Sequence, residues 1–587
     1  MAPSRAQEFA YEVSILPADG GSFPDELADL LPEVSQLRAL QDRAPQSQAG
    51  LERRIQGDLA LLEEALRSEG YYAGKLDWRI EAGPPLQVSI VIDPGPRFVM
   101  GDFAVEFPPE AAIEGLPRPD LAKVGIRLGE PARAEEVLAA ERRMLDFLRD
   151  NGFPQPSVLK SQVSVELTTS EMHVTLTLDP GTPATFGPLE IRGLQRVEED
   201  YLRQRIAWPE GERYSATRLE QIRRDLVAMN LYNSVALDLA AATPGGSLPT
   251  TLTVIERAPR TIGIGAGFTT SYDGNLLDGL SVDGFWEHRN LLGEAEIFRV
   301  EGSVSRPLQT LAASFRKPDF LQLQQFLVLS TTFRREDSDA YKELSFQVYG
   351  GIERPLAKHL TFAGGLSLEI LQVDDLDPDD DKGTERFVIA STPLALTWDN
   401  RKDPLNPTGG VRATLLLTPS LALLAETVPY LVADLSAATY YAPFGDDSLV
   451  LAVRGRLGTI AGGSLESVPA SKRFYAGGGQ SVRGYELRSL GPLDSDDEPT
   501  GGLSVMEVGF EVRTRVWDDY GLVAFVEGGQ VCENTFPDFA ETPLFGAGIG
   551  LRYFTEFGPI RLDIATPLNG RDRDPAVQFY VSIGQAF

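Results

Sequence analysis

A glycine-rich stretch holds the residues whose types and spacing could do chemistry in this chain. Arg473 to Tyr485 carries four glycines, two arginines and three aromatic residues in one short segment. Glycine lets the backbone turn tightly, so the segment predicts a structured loop rather than a strand. The planar guanidinium of Arg483 can donate two parallel hydrogen bonds to a carboxylate, so this residue predicts an ion pair inside the folded protein. This loop is the candidate functional element.

Catalytic signatures are missing from the sequence. It contains no G-x-S-x-G, H-E-x-x-H or C-x-x-C pattern. The segment Gly263 to Gly267 looks superficially like a phosphate loop, but no Lys-Ser/Thr follows it and its period of two favours a strand. Cys532 is the single cysteine, and three histidines offer little for a metal site. We therefore predict a protein that is not an enzyme and has no cofactor or metal.

Length and charge limit the remaining classes. The 587 residues predict several domains. A formal net charge of -31 repels a nucleic-acid backbone, so nucleic acid is not an expected partner. No apolar run reaches the roughly 18 residues of a spanning helix. Met1 to Ala10 also lack the apolar region of a signal peptide, so for an exported protein we expect that the signal has been removed from this sequence.

A repeat occupies the first part of the chain. Each copy has a helical segment with apolar residues three and four apart, then an aromatic residue and an alternating strand. The first two copies close on Asp-Pro-Gly, at Asp93 to Gly95 and Asp179 to Gly181. The pattern predicts three small β-α-α-β-β modules, which cover residues 1–95, 96–182 and 183–258.

Modules of this kind expose the edges of their sheets. An exposed edge can accept an extended segment of another chain as an extra strand. The strand near Phe9 to Leu16 has no module before it, so we expect it to bind a partner. The candidate partner-binding residues are Phe9, Tyr11, Val13 and Ile15. Two alternatives stay open, namely that the fold uses this edge internally and that the modules are only rigid spacers.

From residue 259 to residue 587 apolar and polar residues alternate. Val411 to Thr418 places apolar residues at every odd position, and Ile560, Leu562 and Ile564 alternate with Arg561 and Asp563. A β-sandwich has the same period, but a long alternation with charges on one face favours a transmembrane barrel with a wet lumen. The length predicts an antiparallel barrel of 16 strands, with the arginine loop as an insert near residues 471–500.

The order of these features resembles a known superfamily. Besides the modules, the barrel and the Ser481 to Tyr485 loop, three segments look like its barrel strands: Trp398 to Arg401 with Asn406 to Gly410, Phe525 to Gly529, and Gly558 to Ala565. The superfamily contains the outer-membrane-protein insertases and two-partner transporters, whose modules are called polypeptide-transport-associated (POTRA) domains. Three modules resemble its TamA-like branch, the barrel proteins of the translocation and assembly module.

The resemblance implies a location, a function and partners. We expect the outer membrane of a Gram-negative bacterium, with POTRA modules in the periplasm and outer-membrane lipid around the barrel. The implied function is to help insert or translocate unfolded outer-membrane client proteins, such as autotransporter-type proteins, through a lateral seam in the barrel. The implied partner is a TamB-like protein anchored in the inner membrane. The alternative is a two-partner-type secretion pore or a passive channel.

The resemblance also implies a loop lock. In the family the loop arginine pairs with an acidic residue of the Phe-x-Asp-x-Gly strand, which here is Glu527. We expect Arg483, Gly484 and Tyr485 to be held there, on the face opposite Leu522, Ala524 and Val526. Other carboxylates could share the arginine: Glu486, Glu507 and Glu511. Whether Arg483 acts in client insertion or only braces the fold stays open.

Two further predictions concern the C-terminus and the acidic loops. Phe579, Val581, Ile583 and Phe587 share one face of a last strand and resemble a barrel sorting signal, although they could merely face lipid. Acidic runs at residues 374–381 and 494–498 could bind divalent cations. The ligand spacing of a calcium loop is missing, so solvated loops are favoured.

Overall fold

The computed structural model describes residues 9–111, 113–268, 280–338, 340–375, 383–423, 427–555 and 558–586. The chain divides into two compact units. The first contains residues up to 193 together with 206–228 and 234–255, and the second contains 194–205, 229–233 and the chain from 256 onward. No helix among the described residues is long and apolar enough to cross a membrane.

The first module is a three-stranded sheet covered by helices. Its elements are β1 (Tyr11–Pro17), α1 (Asp25–Ala28), α2 (Leu30–Val34), α3 (Gln36–Ala39), α4 (Gln48–Ser68), β2 (Lys75–Glu81) and β3 (Leu86–Asp93). The strand order is β1-β3-β2, with β1 parallel to β3. Ser47 caps α4 by accepting the Gly50 N–H, and Leu51, Ile55 and Leu62 form its buried face. This face packs with β3 in one core.

The second and third modules repeat this plan. Their elements are β4 (Val99–Glu106), α5 (Leu121–Val124), α6 (Ala134–Asp150), β5 (Ser157–Glu166), β6 (Glu171–Asp179), β7 (Thr185–Arg192), α7 (Glu199–Ile206), α8 (Ala216–Ala228), β8 (Tyr232–Leu239) and β9 (Ser247–Glu256). In both sheets the last strand lies in the middle and runs parallel to the first. The predicted β-α-α-β-β order is therefore confirmed.

The rest of the described chain forms one large antiparallel sheet. Its strands are β10 (Arg260–Phe268), β11 (Leu280–Arg289), β12 (Ile297–Ser305), β13 (Leu308–Lys317), β14 (Phe326–Asp337), β15 (Tyr341–Ala357), β16 (Leu360–Asp375), β17 (Thr384–Ser391), β18 (Leu394–Asp399), β19 (Gly410–Leu423), β20 (Val428–Tyr441), β21 (Leu449–Ala461), β22 (Ser504–Trp517), β23 (Tyr520–Cys532), β24 (Leu544–Thr555), β25 (Gly558–Pro567) and β26 (Gln578–Ile583). Apart from β17 and β18, each strand pairs with its neighbour in sequence. Segments β17 and β18 pair with successive parts of both β16 and β19, so they share one position in the sheet.

The two faces of the sheet differ in chemistry, as the alternation predicted. On β23, Leu522 and Val526 are exposed on the outer face. Phe525 and Glu527, which flank Val526 in the sequence, are buried on the inner face. The outward side chains are apolar and suit lipid, while the inward side chains include paired charges. The alternation arises because successive strand residues point to opposite faces. The barrel prediction is therefore confirmed over the sandwich.

A long connection between β21 and β22 folds into the barrel. It contains a 3₁₀ turn at Ala470–Lys472, followed by the predicted glycine-rich loop. Val482 and Tyr485 are fully buried, in one apolar cluster with residues from the inner wall, among them Leu371 and Val505. Because the loop brings its own apolar side chains, it packs inside the barrel as a small core. We call residues 470–491 the inner loop.

Candidate functional site

The side chain of Arg483 is the centre of the inner loop and is fully buried. Its Nε donates to Oε2 of Glu527 at 3.0 Å, and its NH2 donates to Oε1 of the same carboxylate at 2.8 Å. The backbone N–H of Arg483 also donates to Oε2, at 2.8 Å. Glu527 thus holds both the side chain and the backbone. This two-pronged geometry requires a guanidinium, because an ammonium group cannot reproduce it.

Two further carboxylates complete the contacts of this guanidinium. NH2 of Arg483 lies 2.5 Å from Glu511 of β22, and NH1 lies 2.7 Å from Asp563 of β25. The guanidinium carbon also lies 3.4 Å from the ring centroid of Phe525, a cation–π contact. One side chain from the loop therefore bonds three strands, β22, β23 and β25. We call Arg483, Glu511, Glu527 and Asp563 the arginine lock.

Other arginines balance the charge of the lock. Arg552 approaches Asp563 at 2.5 Å, and Arg454 approaches Glu527 at 3.3 Å. Buried charges are stable only when each is paired, because taking an ion out of water costs several kcal/mol. The cations that face the lock carboxylates and Glu507 are Arg454, Arg456, Arg483, Arg513, Arg552 and Arg561. Each carboxylate of the lock thus faces at least two cations, so its charge is compensated from more than one side.

Gly484 and Tyr485 fix the backbone next to the lock. Gly484 has φ of 105°, and a Cβ there would lie 2.9 Å from the carbonyl carbon of Thr566. Both conditions require glycine. Its N–H donates to the hydroxyl of Tyr580 at 3.0 Å, and that hydroxyl donates to the carbonyl of Tyr485 at 3.0 Å. The Tyr485 hydroxyl reaches the Phe545 carbonyl at 3.0 Å. The loop is thus hydrogen-bonded to β26 as well.

The structure brings together most residues that the sequence singled out for the lock. Arg483 contacts Glu527 and Glu511, while Glu507 accepts a hydrogen bond from Ser481 at 2.6 Å. The sequence analysis missed Asp563 and Tyr580 as partners. A signal for Asp563 existed, because it lies on the charged face of a strand that was already recognised. Tyr580 had no such signal, since it belongs to a strand noted only for its apolar row.

Two C-terminal residues of the proposed sorting signal lie on the outer face of the barrel. Phe579 and Val581 of β26 are exposed on the side that suits lipid. Phe587 lies outside the described residues, and Ile583 is the last residue of β26. The sorting role stays a prediction. Of the acidic runs, residues 376–382 also lie outside the described residues. In the other run, Asp494 accepts the N–H groups of Asp496 and Glu498.

The proposed partner strand differs from the prediction in two respects. Phe9 precedes β1, which begins at Tyr11. Tyr11 is buried and donates its hydroxyl to the carbonyl of Leu37 at 2.9 Å, and Val13 and Ile15 pack against the module core. These side chains point inward because alternate positions of β1 face the helices. A partner could therefore use only the backbone edge of β1, which is the outer strand of its sheet.

The first two modules are joined by ion pairs around Arg97. Its guanidinium lies 2.6 Å from Glu26 and 3.1 Å from Glu69, and Arg133 lies 3.0 Å from Glu69. Tyr71 donates its hydroxyl to Glu26 at 2.8 Å. Burial and this hydrogen bond raise the pKa of Tyr71 to about 12. Residues of both modules thus share one network, which restrains the joint between them.

Glu256 organises the end of the third module in a similar way. Its Oε1 accepts the backbone N–H groups of Gln195, Arg196 and Val197 at 2.7, 2.9 and 3.0 Å. Burial alone would raise the pKa of Glu256. The three hydrogen bonds and the Arg196 guanidinium outweigh burial and hold that pKa below its usual value. An ionised carboxylate therefore fixes the turn that precedes α7.

The turns of the barrel contact the segment around α7. Tyr201 donates its hydroxyl to Asp319 at 3.1 Å, and Arg205 lies 3.4 Å from the same carboxylate. The N–H of Glu198 donates to the carbonyl of Gly293 at 2.9 Å. Asp319 and Gly293 belong to the turns after β13 and β11. All these residues lie in one compact unit, so this part of the third module is anchored to the barrel.

The fold and the lock define a class of protein. Tandem POTRA-type modules, a large antiparallel barrel and an inner loop held by a buried arginine characterise the POTRA-barrel proteins of outer membranes. The model of the Omp85 superfamily domain matches residues 290–587, which is half of the chain. This chain belongs to the Omp85 superfamily. It is an outer-membrane protein of the Gram-negative type, with POTRA modules in the periplasm.

Individual relatives agree with this assignment. The chain is 20% identical over 599 residues to the outer membrane protein assembly factor BamA of Neisseria meningitidis serogroup B, with 91% of this chain and 73% of that protein covered. It is 22% identical over 557 residues to BamA of Nitratidesulfovibrio vulgaris, with 91% and 68% covered. The crystal structure of BamA from Haemophilus ducreyi lacking POTRA domains 1-3 is similar in fold, with a TM-score of 0.69 and 17% identity, and covers 83% of this chain and 99% of that chain.

The names of these relatives describe a role in assembly. Both curated relatives carry the name of an assembly factor for outer membrane proteins. The superfamily prediction is confirmed. The TamA-like assignment within the superfamily stays a prediction.

Proposed function

We propose that this protein inserts β-barrel or autotransporter-type client proteins into the outer membrane through a lateral seam between β10 and β26. The observation that carries the proposal is the state of these two strands. They are the ends of the barrel sheet and approach each other within 8 Å between Cα atoms, yet among the described residues no hydrogen-bonded register joins them. An unpaired edge can pair with a client strand.

The lengths of the edge strands support this proposal. β26 pairs with β25 over six residues, Gln578 to Ile583, whereas β22 pairs with β23 over thirteen residue pairs. A short strand contributes few ladder hydrogen bonds and separates at lower cost. On β10, Ile262 and Ile264 share one face of the strand and are 73% and 85% exposed. The short last strand favours a seam that opens.

The arginine lock lies on the strands that lead to this seam. Arg483 bonds β22, β23 and β25, and the loop backbone bonds Tyr580 of β26. The loop therefore holds the wall on one side of the seam while the last strand stays short. We infer that the lock keeps that wall in register during insertion. This gives Arg483 a role in insertion beyond bracing the fold.

The periplasmic modules are the proposed binding sites for clients and for a TamB-like partner. The backbone edge of β1 in the first module is the outer edge of its sheet. It offers N–H and C=O groups to an extended segment of either kind of protein. A TamB-like protein is rich in β-structure, so it fits this mode of binding. Deletion of residues 9–93 should abolish capture of the partner while leaving the barrel folded.

Reconstitution with a client barrel protein tests the proposed insertion. Arg483→Ala should leave the barrel assembled, judged by heat-modifiable migration, and should lower the rate of client insertion. The control is Arg335→Ala, because Arg335 lies on the exposed face of β14. Unchanged insertion by a well-assembled Arg483→Ala protein would contradict the role of the lock. A large steady current with no client insertion by the wild type would favour a secretion pore or passive channel instead.

A further inference from the structure

We propose that Lys472 and Arg488 are positioning residues that fasten the inner loop to a second wall of the barrel, β14 to β16. The loop would then span the lumen between this wall and the arginine lock, and would close the lumen as a plug held from both sides. This inference concerns lumen closure and does not depend on which client the protein inserts. We call these two residues with their partners the far anchor.

Arg488 makes the stronger half of the far anchor. Its NH2 lies 2.6 Å from Oε1 of Glu336 on β14, and its NH1 donates to the hydroxyl of Ser338 at 3.3 Å. The guanidinium carbon lies 5.0 Å from the ring centroid of Tyr341 and 5.6 Å from that of Tyr475. It is thus placed between one aromatic residue of the wall and one of the loop.

The backbone at Arg488 is itself unusual. Its φ is 66°, in the left-handed region that non-glycine residues rarely adopt. Such a conformation costs free energy and persists where the surroundings hold it in place. The contacts of Arg488 with the wall therefore offset the free-energy cost of this backbone conformation. This observation is independent of the ion pair and supports a positioning role.

Lys472 makes the other half of the far anchor. Its Nζ lies 2.7 Å from Oε1 of Glu369 on β16 and 3.9 Å from Oε2 of Glu343 on β15. Glu343 and Glu336 are buried, at 4% and 5% exposure. Buried carboxylates need cations close by. The wall thus presents acidic groups that a loop cation can satisfy.

The charges on this wall show what the loop supplies. Among the described residues, the carboxylates are Glu336, Glu343 and Glu369, and the cations paired with them are Arg334, Lys472 and Arg488. Only Arg334 belongs to the wall itself. Two of the three cations come from the loop, so withdrawal of the loop would leave a net negative wall inside the barrel. Docking of the loop is therefore favoured electrostatically as well as by packing.

The far anchor flanks the arginine lock along the loop. Lys472 precedes Arg483 in the sequence, and Arg488 follows it. The far anchor holds β14 to β16, whereas the arginine lock holds β22, β23 and β25. When the far anchor alone is released, the loop stays attached only to the arginine lock and can move away from β14 to β16. The lumen should consequently be open for a larger share of the time.

Conductance across a planar lipid bilayer tests this inference on the full chain. Lys472→Gln combined with Arg488→Gln should increase the time spent in an open state by on the order of tenfold or more, because each lost ion pair weakens docking. Heat-modifiable migration checks that the barrel is assembled. The control is Lys342→Gln, because Lys342 lies on β15 with its side chain on the exposed face. An unchanged current in the double variant, or an equal increase in the control, would overturn the proposal.

Conservative and paired variants separate positioning from a general structural effect. Lys472→Arg keeps the cation and should keep the lumen closed. Glu336→Gln should open the lumen about as much as Arg488→Gln, and the two together should add little to either alone, because both remove the Arg488–Glu336 ion pair. Full additivity would contradict the pairing. Absence of client insertion by the wild type, together with an increased current in the double variant, would count against the proposed insertion function alone, not against the far anchor.

Discussion

Replacement of Arg483 by lysine should loosen the inner loop although the charge is kept. The arginine makes four side-chain hydrogen bonds to three carboxylates, two of them as a fork on Glu527. An ammonium group has three donors on a single nitrogen and cannot form the fork. It also loses the flat contact over Phe525. Arg483→Lys therefore removes at least one charged hydrogen bond and the cation–π contact.

The expected size of the effect follows from these contacts. A hydrogen bond to a charged group contributes about 1.5–3 kcal/mol. The stacked cation adds on the order of 1 kcal/mol. A loss of about 3 kcal/mol shifts the ratio of docked to undocked loop by roughly 100-fold. The substitution should leave the barrel assembled, because the strand ladders do not involve this side chain.

Hydrogen exchange of the loop amides measures this ratio. The N–H of Gly484 is held by Tyr580, and that of Gly477 by Ser481. Under conditions where the loop recloses faster than an exposed amide exchanges, both amides should exchange roughly 100-fold faster in Arg483→Lys. Amides in the middle of β20, which pair on both sides, should keep their protection. Arg335→Lys is the matched control.

Two outcomes would refute this reasoning. If the amides of Gly484 and Gly477 exchange within about threefold of the wild-type rate, the guanidinium fork does not decide docking. If the β20 amides lose protection as well, the substitution destabilises the whole barrel rather than the loop.

Three further predictions concern other contacts. Tyr580→Phe should speed exchange of the Gly484 amide, because the phenol is its acceptor. The pKa of Glu256 is lower in the folded chain than in the unfolded chain. The stability that the ionised carboxylate gives to the fold is therefore complete above the ordinary pKa of 4.5 and is lost as the pH falls below that value. Glu256→Gln should therefore destabilise the turn at Arg196 by about 1–3 kcal/mol at pH 7, measured by amide exchange, with a smaller difference from wild type at pH 3. Removal of Phe587 should lower the amount of heat-modifiable barrel in the outer membrane, and an unchanged amount would contradict a sorting role.

The sequence predicted those parts of the fold that repeat at short range. The alternation of apolar and polar residues in segments such as Val411 to Thr418 is a local property of a strand, so it identified the barrel and its two faces. The helical spacing before Tyr71 and Phe153 likewise identified the modules. The pair of Arg483 and Glu527 followed from a resemblance to a known family, and the inward face of Glu527 followed from the alternation.

The rest of the site depends on contacts that no local pattern shows. Asp563 contacts Arg483 although the two are 80 positions apart in the sequence, and Glu369 contacts Lys472 although they are 103 positions apart. Many charged residues lie on the inner faces of the strands. Which of them contacts Arg483 or Lys472 depends on the path of the inner loop. The sequence analysis assigned the side chains of β1 to a partner for the same reason. No local pattern shows that Tyr11 packs into the core of its own module.

The hydrogen bonds between the inner loop and β26 have a consequence for how the protein itself is made. Gly484 and Tyr580 are 96 positions apart, and Tyr580 lies on β26, the last strand of the sheet. The loop cannot gain this contact until the last strand has been synthesised and has reached the sheet. Contacts of such large sequence separation form late, because much chain entropy is lost before they form. The barrel should therefore be completed and the inner loop docked in the same kinetic step. In a chain truncated before β26, proteases should cut the inner loop.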